Sequence, residues 1–190
     1  MSHRISILKN FIDQVDIETG INTLVEYESN NFLKIFKDNP KVLVAPETKI
    51  VNSLLKKYSD LVIQKHKELN GFLVPLYTTD GFLSLWKPTS YSGVHVDSHT
   101  GYEFLQFATV IYLNDNYEGG EIFFPNQNFS YKPRSGDAVI FPCGGSEYMH
   151  GVGEVISGDR YTIAMWHTGD PRHASTTLHS DIIDKINEEF

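Results

Sequence analysis

The 190-residue sequence contains a single cysteine, Cys143, and this scarcity limits how the chain can be stabilised. One cysteine cannot build an internal disulfide framework, and its use fits a reducing compartment. Because Cys143 lies in an apolar stretch, we interpret it as a small packed side chain and not as a metal ligand. The stretch Met1–Phe11 also lacks the apolar core of a secretory signal, so we expect a cytoplasmic protein.

Positive charge and long apolar runs are also scarce. The chain has 16 Lys and Arg residues against 24 Asp and Glu residues, a formal net charge of −8. A phosphate backbone needs a basic surface, so this balance argues against nucleic acid as a partner. No apolar run approaches the roughly 20 residues that cross a bilayer, so we expect no membrane partner. The oligomeric state is not indicated.

What the sequence does contain is enough apolar material for one folded domain over residues 1–190. Hydrophobic residues make up 41% and aromatic residues 13% of the chain, as in ordinary globular proteins. In residues 1–70, which we interpret as a helical support region, two helices are predicted. Thr19–Asn30 is the shorter, whereas Pro46–Leu69 has a clear 3.6-residue apolar period and a proline suited to a first helical turn.

Residues 71–168 are typical of a β-structure. Short segments rich in aromatic and β-branched residues alternate with Gly, Asn, Asp and Pro turn signals. The gaps between them are too short for crossover helices, which favours antiparallel pairing. We therefore predict a mainly β fold, a sandwich or jelly-roll core flanked by N-terminal helices. Residues 177–190 are predicted to form a C-terminal helix.

A candidate metal site begins at His95 and Asp97, which would point to one face of a strand because they are two residues apart. Alone, this pair is more typical of a solvated or hydrogen-bonded arrangement than of a metal site. His150, after a glycine-rich stretch, is the leading third ligand, whereas His99 follows a predicted turn and is set aside. Two histidines and a carboxylate suit a non-haem Fe(II) oxygenase, although a zinc hydrolase can use a similar set.

Arg160 is a candidate anion-binding residue. It opens a predicted strand whose alternation places Thr162, Ala164 and Trp166 on the same face. If that face is solvent, Arg160 is an ordinary surface residue at a strand end. If that face is interior, a buried guanidinium needs an anionic partner, and a carboxylate of 2-oxoglutarate could pair with it through two hydrogen bonds.

A series of short motifs connects these residues. In chain order they are His95-x-Asp97, Tyr112-Leu113-Asn114, Gly119-Gly120-Glu121, Phe123-Phe124-Pro125, Pro133-x-x-Gly136-Asp137-Ala138, His150-Gly151, Val155-x-x-Gly158-x-Arg160 and Trp166. From Trp86 to Trp166 their order and spacing resemble the catalytic domain of the prolyl 4-hydroxylases, within the Fe(II)/2-oxoglutarate dioxygenases. The resemblance covers somewhat under half of the chain and implies a double-stranded β-helix.

The resemblance implies a catalytic role for four residues. His95, Asp97 and His150 match the family's iron ligands, and Arg160 matches the basic residue that binds the 5-carboxylate of 2-oxoglutarate. Fe(II), 2-oxoglutarate and O₂ would be the cofactor and co-substrates, with ascorbate, which relatives use to rescue oxidised iron, as a further requirement.

Four other residues receive roles from the same resemblance or from their predicted facing. Tyr112 matches a tyrosine that hydrogen-bonds the 5-carboxylate, although it could be a core aromatic. Thr162 could contact the co-substrate. Trp166 resembles an aromatic residue near the active-site mouth, with core packing as its alternative. Tyr91 could line the substrate path if Gly93 allows an irregular backbone.

The sequence also departs from the family pattern. Trp86 and Ser92 occupy places where several members have tyrosines, and this leaves open whether co-substrate or substrate preference is altered. Glycine pairs such as Gly119-Gly120 are interpreted as tight connections. The remaining histidines have no comparable motif support and are interpreted as surface or structural residues: His3, His66, His167, His173 and His179.

The predicted function is hydroxylation of a prolyl residue in a peptide or protein, with decarboxylation of 2-oxoglutarate to succinate and CO₂. The alternatives are an oxygenase of the same superfamily acting on another amino acid or small molecule, and a non-catalytic jelly-roll binding module. A nucleic-acid demethylase is disfavoured because the position six residues after Arg160 is Trp166, where that class has a second arginine. A zinc hydrolase is disfavoured because no general base is evident near the ligands.

Overall fold

The computed structural model describes residues 5–37, 39–70 and 75–180 of the chain. These contain two α-helices, α1 (Gln14–Ser29) and α2 (Lys49–Asn70), and thirteen strands. The strands are β1 (Ser6–Leu8), β2 (Lys34–Phe36), β3 (Asn39–Val44), β4 (Tyr77–Trp86), β5 (Ser92–His95), β6 (Phe107–Tyr112), β7 (Glu118–Gly119), β8 (Ile122–Phe124), β9 (Phe129–Tyr131), β10 (Ala138–Pro142), β11 (His150–Val152), β12 (Val155–Ser157) and β13 (Arg160–Thr168). Short 3₁₀ turns lie at Pro125–Gln127, Ser146–Tyr148 and Pro171–His173.

The strands form two main sheets and a small ribbon. The large sheet has the order β1-β10-β6-β13-β4-β3-β2, the second sheet has the order β5-β11-β8-β9, and β12 pairs with β7. Every pairing between described strands is antiparallel. The predicted mainly β, antiparallel jelly-roll with helical support is therefore confirmed.

Helix α1 begins earlier than its sequence pattern predicted. Its first residue is Gln14 and not Thr19, because the side chain of Asp13 accepts a hydrogen bond from the backbone N–H of Asp16 at 2.9 Å. A carboxylate in this position satisfies one of the unpaired donors of the first turn. The helix therefore starts directly after its cap, five residues before the predicted start at Thr19.

Helix α2 begins at Lys49, three residues after the predicted Pro46. The hydroxyl of Thr48 accepts from the backbone N–H of Val51 at 3.4 Å and marks the start of the helix. The apolar stripe of α2 is buried against the large sheet, and its buried members are Val51, Leu54, Leu55, Tyr58 and Val62. Burying one such side chain contributes about 1.5–3 kcal/mol, so the stripe fixes the helix to the sheet.

Three strands lie in residues 1–70, where the sequence predicted only helices. They are β1, β2 and β3, and they occupy the two ends of the large sheet. β1 and β2 have three residues each, too few to produce a recognisable alternation of apolar and polar residues. β1 pairs with a strand far along the chain, where Ile7 is the partner of Val139, whereas β2 pairs only with the neighbouring β3.

Strand β13 separates the core from a cavity. Ile163 and Met165 are fully buried in the cluster that includes the two helices. Arg160, Thr162, Ala164 and Trp166 line a cavity on the opposite face. The predicted alternation is therefore confirmed, and the face that carries Arg160 is interior.

The histidines set aside by the sequence have different environments. His66, His167 and His179 are buried. The ring of His167 lies between two hydroxyls, with Thr78 Oγ1 3.0 Å from Nδ1 and Thr109 Oγ1 3.0 Å from Nε2. These contacts support the structural interpretation of His167.

Parts of the sequence predictions lie outside the described residues. These are His3, the glycine expected to end α2, and residues 181–190 of the predicted C-terminal helix. Within the ranges that are described, no helix is both long enough and apolar enough to cross a bilayer.

Burial of His167 predicts a pH dependence of stability. Burial, followed by the nearby His66 and His179, lowers the pKa of His167 well below its usual value. Below about pH 6.5 the unfolded chain therefore binds a proton that the folded chain does not, and the free energy of unfolding falls as the pH falls, by up to about 1.4 kcal/mol per pH unit. Urea unfolding between pH 7.5 and 5.5 should show this decline, and the decline should be shallower in a His167→Gln variant.

The exposed His99 supplies the matched control. His99→Gln also removes one histidine but leaves the buried His66, His167 and His179 unchanged. We expect its decline to equal that of the wild type. Equal declines in the wild type and in His167→Gln would contradict the assignment of this pH dependence to His167.

Candidate metal centre

Two neighbouring strands bring the predicted metal ligands together. His150 opens β11 and is the register partner of His95 at the end of β5, and Asp97 follows β5 by two residues. One ligand atom from each of the three side chains lies within 4.8 Å of the others. The carboxylate oxygens of Asp97 are 3.4 Å from His95 Nε2 and 3.8 Å from His150 Nε2. Among the described residues, this is the group of His, Cys, Asp and Glu side chains whose spacing suits a single ion.

The backbone selects the ring nitrogen that each histidine presents. Nδ1 of His95 is 2.8 Å from the carbonyl oxygen of Gly93, and Nδ1 of His150 is 3.1 Å from that of Tyr148. A carbonyl can only accept, so each Nδ1 carries a proton, and when the ring is neutral its Nε2 presents a lone pair towards the centre. Partners of this kind orient metal-binding histidines.

The ionisation of the cluster also suits a cation. Burial by itself would raise the pKa of Asp97, but the hydrogen bond from His95 and the charge of His150 outweigh burial and lower it. Burial lowers the pKa of His150, which favours the neutral ring. The hydrogen bond to Asp97 raises the pKa of His95. At neutral pH the cluster therefore contains a carboxylate and a neutral imidazole, the forms in which these groups bind metals.

Arg160 lies at the inner end of the same cavity and is only 2% exposed. Its guanidinium carbon lies 4.9 Å from the ring centroid of Trp86 and 5.1 Å from that of Tyr112, so aromatic rings flank the charge. No described residue supplies a hydrogen-bond partner for Arg160 Nε or for the hydroxyl of Tyr112. Buried donors in this state create a site for an anion, because an anionic acceptor would satisfy them together.

Tyr117 belongs to this anion site although the sequence analysis did not include it. Its buried hydroxyl also has no hydrogen-bond partner among the described residues, and the charge of Arg160 acts on it. Burial raises the pKa of both Tyr117 and Tyr112, so both remain hydroxyl donors. Gly120 permits the approach, because a Cβ there would lie 3.0 Å from Arg160 Cδ and 3.0 Å from Tyr117 Cε2. The signal in the sequence was a tyrosine two residues before the Gly119-Gly120 turn.

Thr162 and Trp86 are linked through Ser84. The hydroxyls of Thr162 and Ser84 are 2.7 Å apart, and Trp86 Nε1 donates to Ser84 Oγ at 3.1 Å. Trp86 is also the register partner of Arg160. The structure therefore places Trp86 at the arginine end of the cavity.

Two adjoining cavities contain most of the predicted site residues. An inner cavity of about 100 Å³ extends from Arg160 to the His95, Asp97 and His150 cluster. A more open groove of about 500 Å³ shares His95, Asp97 and Trp166 with it.

Tyr91 lines neither cavity. Tyr91 precedes β5 and is 62% exposed. The residue that faces inward at this end of β5 is Ser92. The structure thus brings Ser92, and not Tyr91, to the inner cavity.

A family comparison finds the same superfamily as the motifs. Residues 82–168 match the model described as the 2OG-Fe(II) oxygenase superfamily. The matched segment extends from the first inward aromatic of β4 through both histidines to the end of β13. The resemblance inferred from the motifs is confirmed for this segment.

Individual relatives narrow the resemblance to prolyl hydroxylases. The chain is 40% identical over 86 residues to prolyl 3-hydroxylase 1 of Gallus gallus, a match that covers 43% of this chain and 12% of that protein. The chain therefore spans only a small part of this curated relative.

Solved structures of prolyl hydroxylases have the same fold. A prolyl-4-hydroxylase of Pseudomonas putida aligns with a TM-score of 0.69 at 16% identity, over 88% of this chain and 93% of that one. A prolyl hydroxylase of Trichoplax adhaerens, in complex with a hypoxia inducible factor peptide fragment, aligns with a TM-score of 0.72 at 16% identity, over 90% and 86%. These likenesses concern the fold.

The residues present fit the groups that this superfamily uses. His95, Asp97 and His150 could bind Fe(II), since their tautomers and ionisation suit a cation. The unpaired donors of Arg160, Tyr112 and Tyr117 could bind a carboxylate of 2-oxoglutarate.

The cluster predicts metal-dependent stability. Mn(II), used as a redox-stable probe, should raise the melting temperature of the wild type by several degrees at 100-fold excess over its dissociation constant, because such binding stabilises the folded state by about 2.7 kcal/mol. The shift should vanish in His150→Ala and persist in His99→Ala, measured by calorimetry. A full shift in His150→Ala would exclude His150 from the ion site.

Proposed function

We propose that the protein is an Fe(II)- and 2-oxoglutarate-dependent dioxygenase that hydroxylates a prolyl residue in a peptide or protein. In this proposal 2-oxoglutarate is decarboxylated to succinate and CO₂. The observation that carries it is the presence of a metal-competent cluster and a buried, unpaired anion site in one cavity.

The residues of the chain have separate tasks in this proposal. His95, Asp97 and His150 hold the ion, which when bound supplies the oxidative chemistry that couples decarboxylation to hydroxylation. Arg160 and the hydroxyls of Tyr112 and Tyr117 hold the distal carboxylate of 2-oxoglutarate and so orient its other end towards the ion. The cavity walls exclude water from this ion pair, which strengthens it.

The anion site also favours an oxygenase over a zinc hydrolase. A hydrolase needs a base and a bound water, but it has no use for a second anion site at the inner end of the cavity. A non-catalytic binding module could retain Arg160 for a small anion, yet it would not require the two histidines and the carboxylate in metal-competent forms. The zinc hydrolase would leave the anion site unexplained, and the binding module would leave the metal cluster unexplained.

The substrate class is supported by the relatives and by the open groove. The sequence relative is named a prolyl 3-hydroxylase, and a structural relative is named a prolyl-4-hydroxylase. The groove of about 500 Å³ adjoins the metal cluster and is open to solvent, so a peptide segment can enter it. Product analysis must therefore distinguish 3-hydroxyproline from 4-hydroxyproline.

The proposal predicts succinate formation that depends on the metal cluster. Protein supplied with Fe(II), 2-oxoglutarate, O₂ and ascorbate should convert 2-oxoglutarate to succinate, faster when proline-containing peptides are added, and one oxygen atom should be added to proline. His150→Ala should reduce succinate to the level without protein, and Glu18→Gln, on α1 and away from both cavities, should retain it. Mass spectrometry measures both products.

Two outcomes would overturn this assignment. Wild-type succinate no higher than that of His150→Ala, across a broad panel of proline-containing peptides, would exclude the oxygenase. Tight binding of 2-oxoglutarate with no turnover would instead establish the binding module.

The anion site predicts a selective defect in co-substrate use. Arg160→Met should raise the 2-oxoglutarate KM by about 100-fold or more, because one partner of a buried ion pair is worth roughly 3–5 kcal/mol. Tyr117→Phe should raise it by about 10-fold, the effect of one hydrogen bond to a charged group. The Mn(II)-induced shift in melting temperature should be unchanged in both variants. An unchanged KM in Arg160→Met would show that the anchor lies elsewhere.

A further inference from the structure

The inward-facing row of β4 crosses the whole site and ends in an acid. Trp86, Ser84 and Phe82 line the inner cavity, and Phe82 and Asp80 line the open groove. The row runs beside β13, where Trp86 pairs with Arg160 and Asp80 pairs with Trp166. Six residues of strand separate the two ends, about 20 Å. The site is therefore polar, with a cation at its inner end and a carboxylate at its mouth.

A β-bulge turns this end of β4 into the groove. Trp166 pairs with Asp80 but the next residue of β13 pairs with Thr78, so Thr79 has no partner. The hydroxyl of Thr79 donates to the carbonyl of Trp166 at 3.0 Å. Consecutive residues of a regular strand point to opposite faces, yet Thr79 and Asp80 both line the groove.

Aromatic residues line the groove together with Asp80. The rings of Phe36 and Phe82 have centroids 4.8 Å apart, and those of Phe82 and Trp166 are 5.4 Å apart. Phe82 is two residues from Asp80 on the same face. Trp166 is the cross-strand partner of Asp80. Aromatic faces attract cations, and a carboxylate beside them adds a charged hydrogen-bond acceptor.

The charge of Asp80 is not compensated by an ion pair. Its hydrogen bond is to the backbone N–H of Gly81 at 2.8 Å, and among the described residues no cationic group lies within 4.0 Å of it. Desolvation by the groove walls and the charge of Glu47 raise its pKa, whereas Lys37 lowers it. The exposed Lys37 lies over the outer aromatic ring, 5.2 Å from the centroid of Phe36. Lys37 is thus a resident cation that competes for this surface.

We propose that the groove mouth binds a basic side chain, lysine or arginine, of the substrate peptide close to the residue that is hydroxylated. This inference rests on the proposed function and specifies its substrate class. Asp80 is the charged partner of the basic side chain, and Phe82, Trp166 and Phe36 provide the aromatic faces. The net charge of −8 favours approach of a basic peptide at low salt.

The test uses nine-residue glycine- and alanine-based peptides with a central proline and one lysine placed at each other position in turn. Each peptide has a twin with acetyl-lysine, which has nearly the same shape but no charge. Binding is measured by fluorescence anisotropy with Fe(II) and 2-oxoglutarate under anaerobic conditions, so that turnover does not interfere. The wild type should bind lysine at one or more positions at least 10-fold tighter than its acetyl-lysine twin.

Charge variants identify the residue responsible. Asp80→Asn should reduce the preference to below about 3-fold, and Lys37→Met should increase it, because the competing cation is removed. Glu18→Gln changes the net charge equally on α1, whose buried residues face the other side of the large sheet, and should leave the preference unchanged. Because Asp80 is exposed, the Mn(II)-induced shift in Asp80→Asn should match that of the wild type.

The outcomes separate this inference from the proposed function. No lysine preference in the wild type, or an equal preference in Asp80→Asn, would overturn the basic-substrate inference even if succinate formation depends on His150. A preference that depends on Asp80, without hydroxylation of any bound peptide, would support the groove assignment and count against the prolyl hydroxylase.

Discussion

The pairing of β13 with β4 is the interaction on which the rest of the structure depends. In both strands, alternate residues face the helices and the cavity, so each strand contributes to the core and to the site at once. Leu83 and Ile163 lie in the core between the sheet and the helices, whereas Ser84 and Thr162 bond to each other in the cavity. A shift of one residue in this register would bury the site residues in the core and expose the core to the cavity. The register therefore specifies stability and chemistry together.

The second sheet contributes the metal cluster, and it does so with two short strands. β5 and β11 are only four and three residues long, yet their pairing aligns His95 with His150. Backbone carbonyls next to these histidines then select their tautomers. The metal cluster thus needs little dedicated structure, because strand pairing provides the position and the neighbouring backbone provides the orientation.

The two cavities differ in what they leave unsatisfied. In the inner cavity, three buried donors have no partner among the described residues, and an anion would satisfy them together. At the mouth, Asp80 is a solvent-accessible carboxylate beside aromatic rings, and no described cation forms an ion pair with it. The two ends of the site therefore differ in charge, and in the proposed function the dianionic co-substrate would bind at the inner end and the substrate at the mouth.

Much of this could be predicted from the sequence, since local patterns carry it. The antiparallel β-core, the stripe of α2, the facing of Arg160 on β13 and the three metal-ligand candidates all follow from residue types at regular spacing.

Helix starts were misplaced because caps such as Asp13 and Thr48 act through single hydrogen bonds that leave little trace in periodicity. Strands β1 to β3 were missed because β1 and β2 are too short to show alternation and because β1 and β3 pair with strands remote along the chain. Tyr117 and Asp80 were not recognised either, because the approach of Tyr117 to Arg160 and the bulge that brings Asp80 into the groove both depend on tertiary contacts. The sequence by itself determined which residues alternate and which chemistry they offer. Only the tertiary structure decided which donors are left unpaired and which face one another, because both depend on contacts between strands that are remote along the chain.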